Sequence, residues 1–239
     1  MAKQEPGKIL VFDIETSDFK ANFGYMLMWC AKFIGEDEVH YARIDDTKGF
    51  GKTPESMIND YDIVMALRDL VDEADAVVYH YGDRFDLRFL NTRCLEHGEL
   101  PPGKVTSIDT WKIARNNLAM TSNRLGTLAE SYGGDHQKGG LSKLQWKLAV
   151  HGCKDTLDAM LDYCRDDVLA TEAVYLTLRP LIWNHPITHG VPGTRTCPAC
   201  GHENSHGNGT RRTKHFLVHR RRCPQCGTGF ESHREKIKA

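Results

Sequence analysis

Asp13 and Glu15 stand one residue apart within VFDIET, residues 11–16, inside an apolar run near the start of the chain. In a strand, residues i and i+2 project from one face, so both carboxylates point together while Phe12 and Ile14 point the other way. Two carboxylates that close repel, and one must keep its proton unless a cation lies between them. A hard divalent ion, Mg²⁺ or Mn²⁺, satisfies such a pair because it prefers oxygen ligands and tolerates water in its remaining positions. The alternative is a strand end emerging into solvent with two ordinary surface acids. Two further stretches bear on that choice. VVYHYGDRFDLRFL puts Asp86 where a strand gives way to a helix, a common place for a ligand. DYCRDDVLAT puts Tyr163 and Asp167 four residues apart on one helix face, with Asp162 and Asp166 turned toward solvent.

A second constellation lies near the other end. CPACG begins at Cys197 and CPQCG at Cys223, with 22 residues between Cys200 and Cys223. Paired Cys-x₂-Cys knuckles of this kind read as one Zn²⁺ held by Cys197, Cys200, Cys223 and Cys226. Four thiolates close the tetrahedron, so the site is structural, and a segment this short has too little core to fold without the metal. The alternative is a set of reactive dithiols. Cys30, Cys94, Cys153 and Cys164 are scattered and read as small buried hydrophobes. Between the knuckles runs RRTKHFLVHRRR, in which Arg212, Lys214 and Arg221 can neutralise phosphates and Phe216 or His215 can stack a base. Phe216, Leu217 and Val218 are alternatively the small core of the ribbon.

The elements that must position these groups follow from periodicity and punctuation. Residues 8–14, 25–34, 38–44 and 74–80 read as strands, the second and third joined by a turn at Gly35, Glu36 and Asp37. Pro54 is expected to open a helix in which Met57, Tyr61, Val64, Leu67 and Val71 repeat at helical spacing. Further helices are expected after Gly82 up to Gly98, after a cap at Asp109 or Thr110, over 124–132, and over 154–178. Strands first and helices after predict a mixed α/β fold, with helices packed on a central sheet. Pro186, Gly190, Pro192 and Gly193 cluster at a boundary, which divides the chain into a body over 1–186, a linker over 187–194 and a tail over 195–239.

Charge follows the same division. From Gly190 onward there are ten Lys and Arg against three Asp and Glu, whereas residues 1–189 hold 21 basic and 29 acidic side chains. An acidic body with a basic tail suggests that the tail meets a polyanion, unless it is only a solubilising extension. No stretch reads as a signal peptide or a membrane span, which leads to an intracellular, cytoplasmic expectation.

Asp13-Ile14-Glu15, the segment ending at Asp86, and Tyr163 to Asp167 stand in an order that resembles the DEDD superfamily of DnaQ-like 3′–5′ exonucleases, which have an RNase H-like fold. The likeness is to the tyrosine branch, whose third motif is Tyr-x-x-x-Asp. It is closest to predicted exonucleases related to the proofreading domain of family-B DNA polymerases, including phage proteins that end in a zinc ribbon. EADAVVYHYGDRFDLRFL, SIDTWKIAR and LRPLIWNHP add to it, and it covers roughly residues 8–186 and separately the tail. The resemblance implies two Mg²⁺ or Mn²⁺ ions, with Asp13 bridging both, Glu15 and Asp167 on the ion that activates water, and Asp86 holding its partner mainly through waters. Tyr163 is implied to orient the attacking water. Thr16, His80, Tyr81 and Arg84 are implied to contact substrate, with His80 a packed or hydrogen-bonded histidine rather than a ligand.

Relatives tend to read His-Asn-Gly where this chain has His80-Tyr81-Gly82, so Tyr81 either stacks on a base or sugar or is structural. Arg84, Arg88, Arg115, Arg124, Lys138 and Lys143 are candidates to line a path for the strand backbone. The implied activity releases nucleoside 5′-monophosphates from DNA 3′ ends, single-stranded or frayed, with any polymerase or replication partner met in trans. The alternatives are an exoribonuclease of the same superfamily and a catalytically silent zinc-ribbon protein that binds nucleic acid.

Overall fold

The computed structural model describes residues 7–133, 140–183, 185–186 and 195–237. Lys138 and the expected linker over 187–194 lie outside the described residues. Five strands form one sheet: β1 (Ile9–Thr16), β2 (Met26–Phe33), β3 (His40–Arg43), β4 (Ala76–Tyr79) and β5 (Thr106–Asp109), in the order β3-β2-β1-β4-β5. β1 runs antiparallel to β2 and parallel to β4, and β4 runs parallel to β5, so the sheet is mixed. Its central strand is buried at seven of eight positions, which explains why ILVFDIET reads as a nearly unbroken apolar run rather than an alternating one.

Helices cover both faces. α1 (Tyr61–Glu73) and α2 (Asp86–Glu96) flank β4 in the chain, and α3 (Thr110–Asn117), α4 (Leu125–Tyr132), α5 (Lys143–Val150) and α6 (Lys154–Leu178) follow β5. Ile14 lies opposite Trp29 in the β1–β2 register, and the Trp29 indole donates to the Ile63 carbonyl at 2.7 Å, which assigns that face to α1. Asp13 lies opposite Cys30 and Val11 opposite Lys32, and the Lys32 ammonium pairs with Glu172 of α6. The face bearing Asp13 and Glu15 is therefore the one that α6 covers.

α1 begins seven residues later than Pro54 suggests. Pro54 leads only into a 3₁₀ turn over Glu55–Met57, and the α-helix starts at Tyr61 after Asp60. The Asp60 carboxylate is fully buried and accepts from the Met26 N–H at 2.7 Å and from both arms of Arg93 at 2.9 and 2.7 Å, with His97 Nε2 also at 2.7 Å. That network anchors the helix start to β2 and α2, and the apolar repeat does not encode it. α3 starts where expected, capped by Asp109, whose side chain accepts from the Trp111 and Lys112 N–H groups. α6 matches its expected span end to end.

The tail folds as a three-stranded antiparallel sheet, β6 (His206–Arg212), β7 (Phe216–Arg222) and β8 (Gly229–Lys236). Its apolar centre is Cys197, Ala199, Cys223 and Phe230. Of the three residues weighed as a ribbon core, Val218 is buried while Phe216 stays 37% exposed. The tail packs on the end of α6: a Cβ added at Gly227 would sit 2.8 Å from Pro180 Cγ, and one at Gly229 would sit 3.0 Å from Trp183 Cζ3.

Candidate active site and thiolate cluster

β1 supplies the first two acids. It outruns its parallel partner, since β4 pairs only with Ile9, Leu10 and Val11. The end of β1 is therefore open on that side. A shift in register between Glu15 and Thr16 bends the strand there, a common device beside functional sites. Thr16 is buried; its hydroxyl donates to the Asp18 carbonyl at 2.9 Å and its carbonyl accepts from the Trp146 indole at 3.1 Å. α5 thus clamps the strand end from which Asp13 and Glu15 project.

Asp86, the first residue of α2, reaches that open edge. The backbone N–H groups of Asp86 itself and of Ile14, which stands between the two β1 acids, act on its carboxylate and favour its charged form. Burial, chiefly, pushes its pKa up to about 7, and the charges of Asp109 and Asp167 push in the same direction while the two amides oppose them. Asp86 and Asp167 are therefore electrostatic neighbours, although 81 residues separate them in the chain. Glu15, Asp86 and Asp167 are each 4% exposed. Buried acids such as these, with Asp86 and Asp167 within each other's field, are costly unless protons or cations compensate them.

α6 completes the cluster. Cys164, one turn before Asp167, places its Sγ 3.6 Å from the Asp13 carbonyl and 3.9 Å from Asp13 Oδ2. One candidate ligand atom from each of Asp13, Glu15 and Cys164 lies within 4.8 Å of the others. The Cys164 thiol is raised well above its usual value by burial first, then by Cys30 and by the charges of Asp13 and Glu15. A thiol held protonated beside oxygen donors serves as a spacer and weak donor rather than a ligand for a hard cation. It reads from sequence as a plain buried hydrophobe, and only its place on the α6 face, three residues before Asp167, marks it otherwise. Tyr163, on the same helix, is half-buried, while Asp162 and Asp166 are exposed as expected.

The turn after β4 carries the remaining predicted contacts. A Cβ at Gly82 would fall 2.3 Å from the Tyr79 ring, so only glycine lets the chain turn over that ring. Tyr81 sits at φ 70°, a left-handed conformation that asparagine and glycine favour and tyrosine rarely takes. It is held there by Asp109 Oδ1, which accepts from its N–H at 3.0 Å. His80 Nδ1 lies 2.9 Å from the Thr110 hydroxyl, in line with a hydrogen-bonded rather than ligating histidine. Arg84, Arg88, Arg115, Arg124 and Lys143 are all exposed. Trp111 and Asp109 join this region without having been singled out for it. The cue for Asp109 lies in its helix-cap position, because a cap at the end of β5 is also a neighbour of the β4 turn.

In the tail, one sulfur from each of Cys197, Cys200, Cys223 and Cys226 lies within 4.8 Å of the others, with Cys197–Cys226 and Cys200–Cys223 at 3.6 Å. A zinc tetrahedron with Zn–S of 2.3 Å has S–S edges of about 3.8 Å, so the set fits the ion. The two knuckles are twins. Gly201 N–H bonds the Cys197 carbonyl and Gly227 N–H the Cys223 carbonyl, each at 3.0 Å, with φ 73° and 72°. Arg212 and Lys214 are exposed, whereas Arg221 donates from Nε to Ser205 Oγ at 2.6 Å and also bonds the Ser205 carbonyl. No helix among the described residues is long and apolar enough to cross a membrane.

The sequence matches the RNase_H superfamily (RNase_H_2) over residues 10–179, so the chain belongs to that superfamily. Over 142 residues it is 29% identical to a DNA polymerase III of PolC type from Ureaplasma parvum serovar 3, a match covering 53% of this chain and 10% of that protein. Its fold is similar to the family B DNA polymerase of the archaeon Pyrobaculum calidifontis, at a TM-score of 0.56 and 16% identity. That likeness covers 74% of this chain and 26% of the polymerase. The chain thus spans a small part of both proteins.

Proposed function

We propose that this chain is a metal-dependent 3′–5′ exonuclease of the tyrosine-type DEDD group that shortens DNA from its 3′ end. What supports the reading is the set of buried acids on β1, α2 and α6, with Asp86 and Asp167 within each other's field and Asp13 and Glu15 gathered beside Cys164 of α6. Membership of the RNase_H superfamily and the relationship to a PolC-type polymerase support it. Asp13, Glu15, Asp86 and Asp167 would hold two Mg²⁺ or Mn²⁺ ions, which when bound supply water activation and stabilisation of the departing 3′ oxygen. The donor set fits: every acid is an oxygen ligand, and the raised Asp86 carboxyl, pushed up to about 7 by burial, is one that a cation would ionise.

The chain's own residues do the rest. The Ile14 and Asp86 N–H groups favour the charged form of the Asp86 carboxylate, and the Trp146 indole fixes the strand end through Thr16. Tyr163 orients the attacking water by hydrogen bonding; with an ordinary pKa of about 10 a tyrosine is a poor base at neutral pH. The four tail cysteines hold one structural Zn²⁺, and exposed Arg212 and Lys214, with the half-exposed Phe216 ring, bind the strand backbone and a base. A second reading, an exoribonuclease, uses the same acids.

Oligonucleotides of DNA and RNA labelled at the 5′ end, incubated with Mg²⁺, Mn²⁺ or chelator, test this. A ladder shortening from the 3′ end of DNA, absent with chelator, is expected. A ladder on RNA alone selects the exoribonuclease, and binding without cleavage of either strand rejects both.

A further inference from the structure

The cysteine knuckles close one end of the tail, and away from them its sheet has almost no core. β6 is exposed at every position, Val218 is the one buried residue of β7, and β8 is nowhere buried from Glu231 to Lys236. There the register puts His219 directly opposite His233, and Glu235, two residues on, shares the His233 face. The two imidazoles stack, with centroids 3.9 Å apart and planes at 12°. One carboxylate oxygen serves both: Glu235 Oε1 lies 3.1 Å from His219 Nε2 and 3.2 Å from His233 Nε2. Ser232 is a bulged residue, passed over between the pairs His219–His233 and Arg220–Glu231. Its hydroxyl donates to the His219 carbonyl at 3.4 Å and lies 3.5 Å from His233 Nδ1, which leaves Nε2 toward the carboxylate. His219 Nε2 is closed off from solvent and, among the described residues, has no partner at a hydrogen-bonding angle. A buried polar atom left in that state calls for an explanation.

We propose that His219, His233 and Glu235 form a second metal site in the tail, one that takes an exchangeable divalent transition ion such as Zn²⁺. The site needs neither the acids of the body nor a nucleic acid. Two imidazole nitrogens and one carboxylate oxygen suit Zn²⁺ with water in the fourth place, and suit Mg²⁺ poorly. At metal–ligand distances of about 2.0–2.1 Å, a tetrahedral ion has ligand–ligand edges of about 3.3–3.4 Å. The two N–O separations, 3.1 and 3.2 Å, are already close to that, and the three ligand atoms lie within 4.8 Å of one another. A tilt of the stacked rings about χ2 brings both Nε2 lone pairs onto the ion. There is room for it: His233 is exposed, and both histidines line a cavity of about 460 Å³ that also admits the water. The ion satisfies His219 Nε2 and ties β8 to β7 where no apolar core does so, a staple of the kind small domains rely on. Three ligands in a basic tail hold it less tightly than four thiolates hold theirs, so it exchanges while the knuckle ion stays.

Isothermal titration calorimetry of the full chain with Zn²⁺ tests this. The chain is first passed over a chelating resin, which leaves the thiolate-bound Zn²⁺ in place, and excess Mg²⁺ then occupies the acids of the body. One further Zn²⁺ per chain is expected. Losing a direct ligand should cost at least as much as losing a ligand's own hydrogen-bond partner, about 10- to 100-fold in affinity. His233→Ala and Glu235→Gln, both at exposed positions, are expected to weaken the second binding by about 10-fold or more. Each should still retain the thiolate-bound Zn²⁺, the sign that the tail is folded. Co²⁺ at the second site should give weak visible bands without thiolate charge-transfer absorption, and loading should slow amide exchange in β7 and β8. Undiminished uptake in either variant overturns the site. So does a wild type that takes no second ion, or a second Co²⁺ that carries thiolate charge-transfer absorption.

Discussion

At the scale of single residues the site is an electrostatic liability that something must offset. Asp86 shows it best, because its folded-state pKa, about 7, lies far above an unfolded aspartate at about 4. The folded chain therefore binds this proton more tightly than the unfolded chain, and stability falls as pH rises between those values. In chelator, thermal unfolding should shift to lower temperature between pH 5 and pH 7.5, by an amount worth up to several kcal/mol. Adding Mn²⁺ at pH 7.5 should restore it, and Asp86→Asn should flatten the pH dependence. An equally steep fall in Asp86→Asn would assign it to another group. Tyr163→Phe belongs to the same scale: losing a water-orienting hydroxyl should lower kcat roughly 10- to 100-fold and leave KM nearly unchanged. Unaltered kcat in that variant would remove Tyr163 from the chemistry.

At the scale of elements, the position of the acids depends on anchors that carry no charge chemistry of their own. The Asp60–Arg93–His97 network ties the start of α1 to β2 and α2, and α2 carries Asp86. Removing one partner of a buried ion pair leaves the other uncompensated, typically at about 3–5 kcal/mol. Asp60→Ala is expected to lose that much in urea denaturation; a loss below about 1 kcal/mol would show that the network is dispensable. These anchors also explain what the sequence disclosed and what it hid. The β1 run, the α6 span and the Asp109 cap were legible because local periodicity or a cap encodes them. The start of α1 was not, because Asp60 acts through partners 33 to 37 residues away in the chain. α5 was missed although a cue was present: Ser142 and Gln145 form a reciprocal capping box. The order of the acids suggested a site, but the roles of Cys164 and Trp111 exist only once α6 and β5 are packed beside β1 and β4.

At the scale of the whole molecule, a superfamily body with an acidic balance carries a basic, cysteine-bearing tail packed on the end of its longest helix. Gly227 and Gly229 make that contact against Pro180 and Trp183, where any side chain would intrude. Metal analysis should find one Zn²⁺ per chain, lost in Cys223→Ser together with the fold of the tail; a metal-free wild type with a folded tail would contradict the thiolate assignment. Truncation after residue 194 should raise KM and the salt sensitivity of binding at least several-fold with kcat within about 2-fold. Unchanged affinity would make the tail a protein-docking module instead. The measurement that bears most directly on the central claim is single-turnover cleavage of a 5′-labelled oligodeoxynucleotide at saturating Mg²⁺ by Asp13→Asn, Asp86→Asn and Asp167→Asn, each checked for native circular dichroism. The account predicts a fall of about 10³-fold or more in each, about 4 kcal/mol of transition-state stabilisation. Wild-type turnover in any folded member of that set would contradict it.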